Sequence, residues 1–199
     1  MSADFLIFDF ETLSNIPATA PVISLGAIAG KWKDCNTKEE LRQSGFYRNI
    51  DSIHQVKDLG LEPSISTMQW WASQGDEAKA VLKATDKISI EQTIHEFNSW
   101  CGDNGVNNNT LVWLRAPHFD FVIYNNLVQR TGLSTYEPFS HWKIRDTRTA
   151  CDMIYSTNRG YPPNYKQLEK DYGITKHNAL DDCIFEYMLM KDWFQYTAE

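Results

Sequence analysis

Two acids, Asp9 and Glu11, stand at the end of an apolar run over residues 5–10. In an extended strand, residues i and i+2 project from the same face. Asp9 and Glu11 therefore point together, and Phe8 and Phe10 point the other way. Paired carboxylates on a buried strand repel each other and lose hydration. A divalent cation relieves both costs, and an oxygen-only donor set suits Mg²⁺ or Mn²⁺ rather than zinc. The plain alternative places Glu11 in a loop and makes Asp9 a cap on a backbone amide, since structural carboxylates also perturb one another.

Two further groups of residues carry similar chemistry. In Trp113-Leu114-Arg115-Ala116-Pro117-His118-Phe119-Asp120, an apolar strand ends, Pro117 breaks it and a helix begins with Asp120 in its first turn. Taken alone, an Asp there is accounted for by the helix dipole. In His177-Asn178-Ala179-Leu180-Asp181-Asp182, a His precedes a helix and an Asp follows five residues on. A loop and a first helical turn can face one cleft in that way. The same residues also read as a helix cap with a favourable N-terminal charge pair. A helical wheel puts Asp181 and Asp182 on the flanks of the apolar stripe and does not choose between them.

The elements that must position these residues follow from periodicity. Residues 5–10 read as a buried strand, 22–32 as a second and 46–50 as a third, with a polar excursion over 33–40. A helical turn within 36–42 is left unassigned. Pro63-Ser64 opens a helix holding Met68, Trp70 and Trp71. Ser89-Ile90-Glu91-Gln92 fits a capping box, followed by Ile90, Ile94, Phe97 and Cys101 on one face. A strand over 110–114, a helix over 118–130 ended by Gly132, and a strand over 141–145 come next. Asp146 is the expected N-cap of a helix to residue 154, and helices over 164–172 and 179–196 close the chain. Strands followed by βα units predict an α/β fold: a mixed sheet with helices on both faces.

The chain has 199 residues, which suits one domain over 1–199. A net charge of −7 argues against a broad basic face for long duplexes but not against gripping a strand end. Bound cations would invert the local sign of an acidic cleft. Seven Trp, nine Tyr and ten Phe serve mainly as core, with some free to stack on bases. Cys35, Cys101, Cys151 and Cys183 form no CxxC pair, so reduced thiols in a cytoplasm are expected. The first residues lack the basic segment of a signal peptide, and no apolar run is long enough to span a bilayer. The expected setting is cytoplasmic, that of the host if the chain is of phage origin.

The ordered set Asp9-x-Glu11, Asp120, His177 and Asp182 resembles the DEDDh 3′–5′ exonucleases, a group that includes the proofreading subunit of bacterial DNA polymerase III and ribonuclease T. The resemblance runs over residues 5–189. Ser66-Thr67-Met68-Gln69-Trp70-Trp71, Arg145-Asp146-Thr147-Arg148-Thr149 and the stretch from His177 to Cys183 are similar to the exodeoxyribonuclease A group of T-even phages. Mycobacterial exoribonucleases and the nuclease part of exodeoxyribonuclease VIII belong with that group. Leu114 and Arg115 depart from the small or polar residues usual before the middle Asp, which bears on the nucleotide pocket rather than the metal site.

The resemblance implies a ribonuclease-H-like fold with a five-stranded sheet. It implies two Mg²⁺ or Mn²⁺ ions held by Asp9, Glu11, Asp120 and Asp182, with His177 as general base. Nucleoside 5′-monophosphates would leave single-stranded DNA ends or 3′ overhangs. Phe10, Thr12 and Leu13 flank the carboxylates as candidate contacts to the terminal base and sugar, although for Phe10 packing on the far face is the favoured reading. Trp70 and Trp71 cannot both face the cleft, so one is core. Arg115, Arg145 and Arg148 are candidate phosphate contacts, with surface ion pairs as the ordinary alternative. Three other readings stay open: a 3′–5′ exoribonuclease, a ribonuclease-H-like endonuclease, and a catalytically dead nucleic-acid-binding module. Oligomeric state is not readable from the sequence.

Overall fold

The computed structural model describes residues 2–133 and 137–197. Its sheet has five strands: Phe5–Thr12 (β1), Val22–Gly30 (β2), Phe46–Asn49 (β3), Leu111–Leu114 (β4) and Ile144–Asp146 (β5). They lie in the order β3-β2-β1-β4-β5. The first three pair antiparallel, and β4 joins β1 and β5 in parallel. The expected mixed sheet is therefore present. The helices are Lys38–Ser44 (α1), Ser52–Lys57 (α2), Ile65–Ser73 (α3), Ala80–Lys83 (α4), Ile90–Asp103 (α5), Pro117–Arg130 (α6), Thr147–Tyr155 (α7), Tyr165–Asp171 (α8) and Ala179–Thr197 (α9).

Alternation along β1 separates two cores. Leu6, Phe8 and Phe10 pack on one face with Ile94 and Phe97 of α5 and Tyr124 and Leu127 of α6. Phe5 and Ile7 pack on the other with Ile184, Tyr187 and Met190 of α9. Each such fully buried side chain contributes about 1.5–3 kcal/mol. A one-residue slip of β1 would exchange the two sets, so the register is fixed by both faces. Asp9 and Glu11 fall on the α9 side, and Glu11 lies within the strand rather than in a loop.

The expected elements differ from the observed ones in places with clear causes. The second strand stops at Gly30, and Trp32–Asp34 turns into a 3₁₀ helix. The unassigned turn is α1, started by a full capping box between Thr37 and Glu40. At Ser89 only half of the expected box forms: Ser89 Oγ accepts from the Gln92 amide, but the Gln92 side chain turns to Glu96 instead. The strand expected over 141–145 is a 3₁₀ turn, His141–Lys143, followed by the three-residue β5. Asp146 caps α7 as expected, accepting from the amides of Arg148 and Thr149. The short helices α2 and α4 were not anticipated. No helix among the described residues is long and apolar enough to cross a membrane.

Gly26 sets the distance between sheet and helix. It pairs with Asp9 across β1 and β2. A Cβ there would lie 2.2 Å from the Leu180 nitrogen and 2.3 Å from the Ala179 carbonyl carbon. Only glycine lets the first turn of α9 rest directly on the strand beside Asp9.

Candidate active site

Three ends meet at one cleft of about 520 Å³: the end of β1, the start of α6 and the start of α9. Asp9, Glu11, Asp120, His177 and Asp182 all line it, although they are spread over most of the chain. Glu11, His177 and Asp182 offer ligand atoms that all lie within 4.8 Å of one another. Asp120, buried in the first turn of α6, accepts the Phe10 amide at 3.2 Å and is thereby tied to β1.

The electrostatics are those of crowded anions. Burial raises Asp9 well above the ordinary Asp range, with further upward pushes from Asp120, Glu11, Asp182 and Glu186. Glu11 rises for the same reason, first through burial and then through Asp182 and Asp120. Burial lifts Asp120 to about 7, countered by the Phe10 and Asp120 amides and by Arg148. Asp182 is pushed up to about 8, mainly by burial and then by Glu186 and Asp181. Burial and the neighbouring Lys176 instead lower His177 below the usual histidine value. Glu169 opposes that shift, and the net direction favours the uncharged imidazole.

His177 is held from several sides. Its backbone is left-handed, with φ 60°, a region that histidine enters more readily than most residues. Asn178 caps α9 by accepting from the Leu180 and Asp181 amides. Trp70 stands edge-on to the imidazole at 4.7 Å, and Glu11 Oε1 lies 3.9 Å from Nδ1. One of the two tryptophans is core, as expected, and the other touches His177 without being among the residues that line the cleft. Trp71 is buried and donates to the Thr12 carbonyl, whereas Trp70 is 41% exposed.

Adjacent acids in α9 have different partners. Asp181 receives Arg42 in a two-pronged pair at 2.8 and 2.7 Å and also accepts the Thr175 amide at 2.8 Å. Its oxygens are committed to holding α1 and the loop before α9. Asp182 faces the cleft.

The proposed substrate contacts fare unevenly. The Phe10 side chain packs in the α5–α6 core, against Phe8. The Thr12 hydroxyl donates to the Ser14 carbonyl at 2.7 Å, and Leu13 packs with Ile23, Trp71 and Val81. Neither Thr12 nor Leu13 lines the cleft; both hold the turn after β1. Arg145 donates to the Trp142 and Ile144 carbonyls, away from the cleft. Arg148 is exposed on the cleft wall. Arg115 also lines the cleft, but it is engaged by Glu186 at 2.6 Å, by the Gly160 carbonyl and by the Tyr161 ring.

Glu186 is the cleft residue that the sequence reading missed. It lies one helical turn after Asp182 and is buried, with Oε2 lacking a hydrogen-bond partner among the described residues. The available signal was its i+4 spacing from Asp182, which puts the two on one helix face. An all-oxygen set of buried, mutually repelling carboxylates with an orphaned oxygen beside it fits a divalent cation.

Residues 4–193 match the family model described as the 3′-5′ exoribonuclease Rv2179c-like domain. The chain belongs to this family. It is a 3′–5′ exonuclease of the DEDDh type. The exodeoxyribonuclease of Enterobacteria phage T4 is 27% identical over 209 residues, covering 98% of this chain and 90% of that relative. Among solved structures, E. coli exonuclease I in complex with a dA16 oligonucleotide superposes with a TM-score of 0.62 at 17% identity, over 96% of this chain and 40% of that one. The same enzyme with a 5cy-dT13 oligonucleotide gives 0.62 at 17% identity, over 100% and 41%. The chain thus spans about two-fifths of exonuclease I, and the likeness establishes the ribonuclease-H-like fold.

Proposed function

We propose that this exonuclease removes nucleotides one at a time from single-stranded DNA ends or 3′ overhangs by two-metal-ion hydrolysis. Asp9, Glu11, Asp120 and Asp182 hold two Mg²⁺ or Mn²⁺ ions, and His177 is the general base. The observation that carries this reading is the meeting of these five residues in one cleft, with the imidazole beside a crowded carboxylate set. Residues 1–199 act as one nuclease domain, as a single sheet covered on both faces by helices from along the chain suggests.

Bound Mg²⁺ or Mn²⁺ supplies a Lewis acid that acidifies the attacking water and neutralises charge on the leaving 3′ oxygen. His177 takes the proton from that water, whose oxygen bonds to the terminal phosphorus while the bond from phosphorus to the 3′ oxygen breaks. The products are a nucleoside 5′-monophosphate and a strand one residue shorter, whose leaving 3′ oxygen takes a proton from solvent to become a hydroxyl. Trp70 fixes the imidazole plane and offers an exposed ring for the terminal base. Arg148, on the wall near Asp120, takes a phosphate. The buried thiols of Cys101, Cys151 and Cys183, none in a disulfide, suit a cytoplasmic setting.

DNA is favoured by the phage relative, an exodeoxyribonuclease over most of its length, and by the oligonucleotides held by exonuclease I. The family description favours RNA. Matched 5′-labelled DNA and RNA strands with Mg²⁺ separate the two. The expected outcome is a descending ladder on DNA, with RNA shortened at about a tenth of the rate or less. Faster loss of RNA would make the enzyme an exoribonuclease. Cutting of circular strands would make it an endonuclease, and release of no mononucleotide a dead binding module.

A further inference from the structure

A second groove, of about 550 Å³, opens beside the catalytic cleft and shares Glu169, Lys176 and His177 with it. The two therefore adjoin at the imidazole. Helix α8 borders both. Tyr165 lines the cleft, whereas Lys166 and Lys170, one turn apart, line the groove. Both lysines are exposed, and neither has a carboxylate partner within 4.0 Å among the described residues. Lys176 adds a third ammonium, paired with Glu169 at 2.9 Å but still 54% exposed. Glu77 also lines the groove.

Unpaired cations side by side are notable in a chain of net charge −7. On the cleft side, Tyr161 and Tyr165 stack at 4.7 Å with an interplanar angle of 17°, and the Arg115 guanidinium lies 3.3 Å above Tyr161. With both faces of Tyr161 so covered, Tyr165 is the ring of the pair left to meet a base, and the free ammonium groups beyond it suit the phosphates of a single strand. We propose that this groove carries the body of the single-stranded DNA whose 3′ end lies in the cleft, with Lys166 and Lys170 taking phosphates upstream of the scissile one. The assignment rests on the exonuclease reading above. It explains how an acidic protein holds a polyanion: the grip is confined to one short basic strip next to the metal-binding carboxylates.

The test compares the wild type with Lys166→Gln/Lys170→Gln and Lys166→Arg/Lys170→Arg. Affinity for a labelled strand of roughly 12 nucleotides is read by fluorescence anisotropy in Ca²⁺, across a salt series. Hydrolysis of a dinucleotide, too short to reach the groove, is read in Mg²⁺. The Gln pair should bind the long strand about tenfold more weakly at low salt, with a log–log salt slope shallower by about 1.4, two contacts at ~0.7 each. Its dinucleotide kcat/KM should match the wild type, and the Arg pair should restore affinity. Unchanged affinity and slope in the Gln pair, or equal losses on both substrates, would overturn the groove assignment. A wild type that binds the strand but releases no mononucleotide would instead reject the exonuclease reading, while the anisotropy still judges the groove.

Discussion

Asp182→Asn lowers mononucleotide release by ~10³-fold or more, because losing a metal ligand removes several kcal/mol of transition-state stabilisation. Asp9→Ala has the same effect. Neither residue supports the fold through an ion pair: each is raised by burial and by neighbouring carboxylates rather than held down by a cation. A group whose folded-state pKa is raised makes the folded state bind protons more readily than the unfolded state. Its contribution to stability is then greatest at acid pH and declines as pH rises from the ordinary Asp value toward about 8. In chelator at pH 8, Asp182→Asn should therefore melt above the wild type, and the difference should shrink toward pH 5. Asp181→Asn supplies the contrast, with turnover within a few-fold of wild type. It breaks the Arg42 pair and weakens the bond to the Thr175 amide, costing about 2 kcal/mol and several degrees in Tm. Full turnover in Asp182→Asn, read by single-nucleotide release, would remove that residue from the metal set.

His177→Ala lowers kcat by ~10²–10⁴-fold, the usual contribution of a positioned proton acceptor, with little change in strand-end affinity in the presence of metal. Burial and Lys176 hold the imidazole below its ordinary value. The rising limb of the wild-type pH–rate profile should accordingly have its midpoint below ~6.5. In His177→Ala that limb disappears or is replaced by one set by water ionisation. A variant that kept both the rate and the limb would reduce His177 to a loop residue at the start of α9. Replacing Trp70 with Leu would shift the imidazole without removing it, since the ring contact at 4.7 Å is lost while Asn178 still caps the helix.

The carboxylates of the cleft were legible because their spacing encodes a shared face. Asp9 and Glu11 follow the two-residue period of β1, and the alternation that buries Leu6 and Phe8 on the opposite face fixes the direction of both acids. Asp120 and His177 were legible as residues at helix starts, positions set by Pro117 and Asn178. What was not legible depends on contacts between distant segments. The wheel could not separate Asp181 from Asp182; Arg42, 139 residues away from Asp181, does. Thr12 and Leu13 sit next to the catalytic strand in sequence, yet the bulge after Glu11 turns them into the Ser14 and Trp71 contacts. Glu186 carries no local signal beyond its spacing from Asp182; its partner, Arg115, lies 71 residues away in sequence. The helix α2 is short and held by tertiary bonds: Gln55 exchanges hydrogen bonds with the backbone of Val22, which no local pattern announces.

The central claim is that Asp9, Glu11, Asp120 and Asp182 hold two divalent ions. It is tested most directly by titrating Mn²⁺ into metal-free protein with a nucleoside 5′-monophosphate present and counting bound ions calorimetrically. The account predicts two ions per wild-type chain and at most one in Asp182→Ala. A single ion or none in the wild type, or two ions retained in the variant, would contradict it.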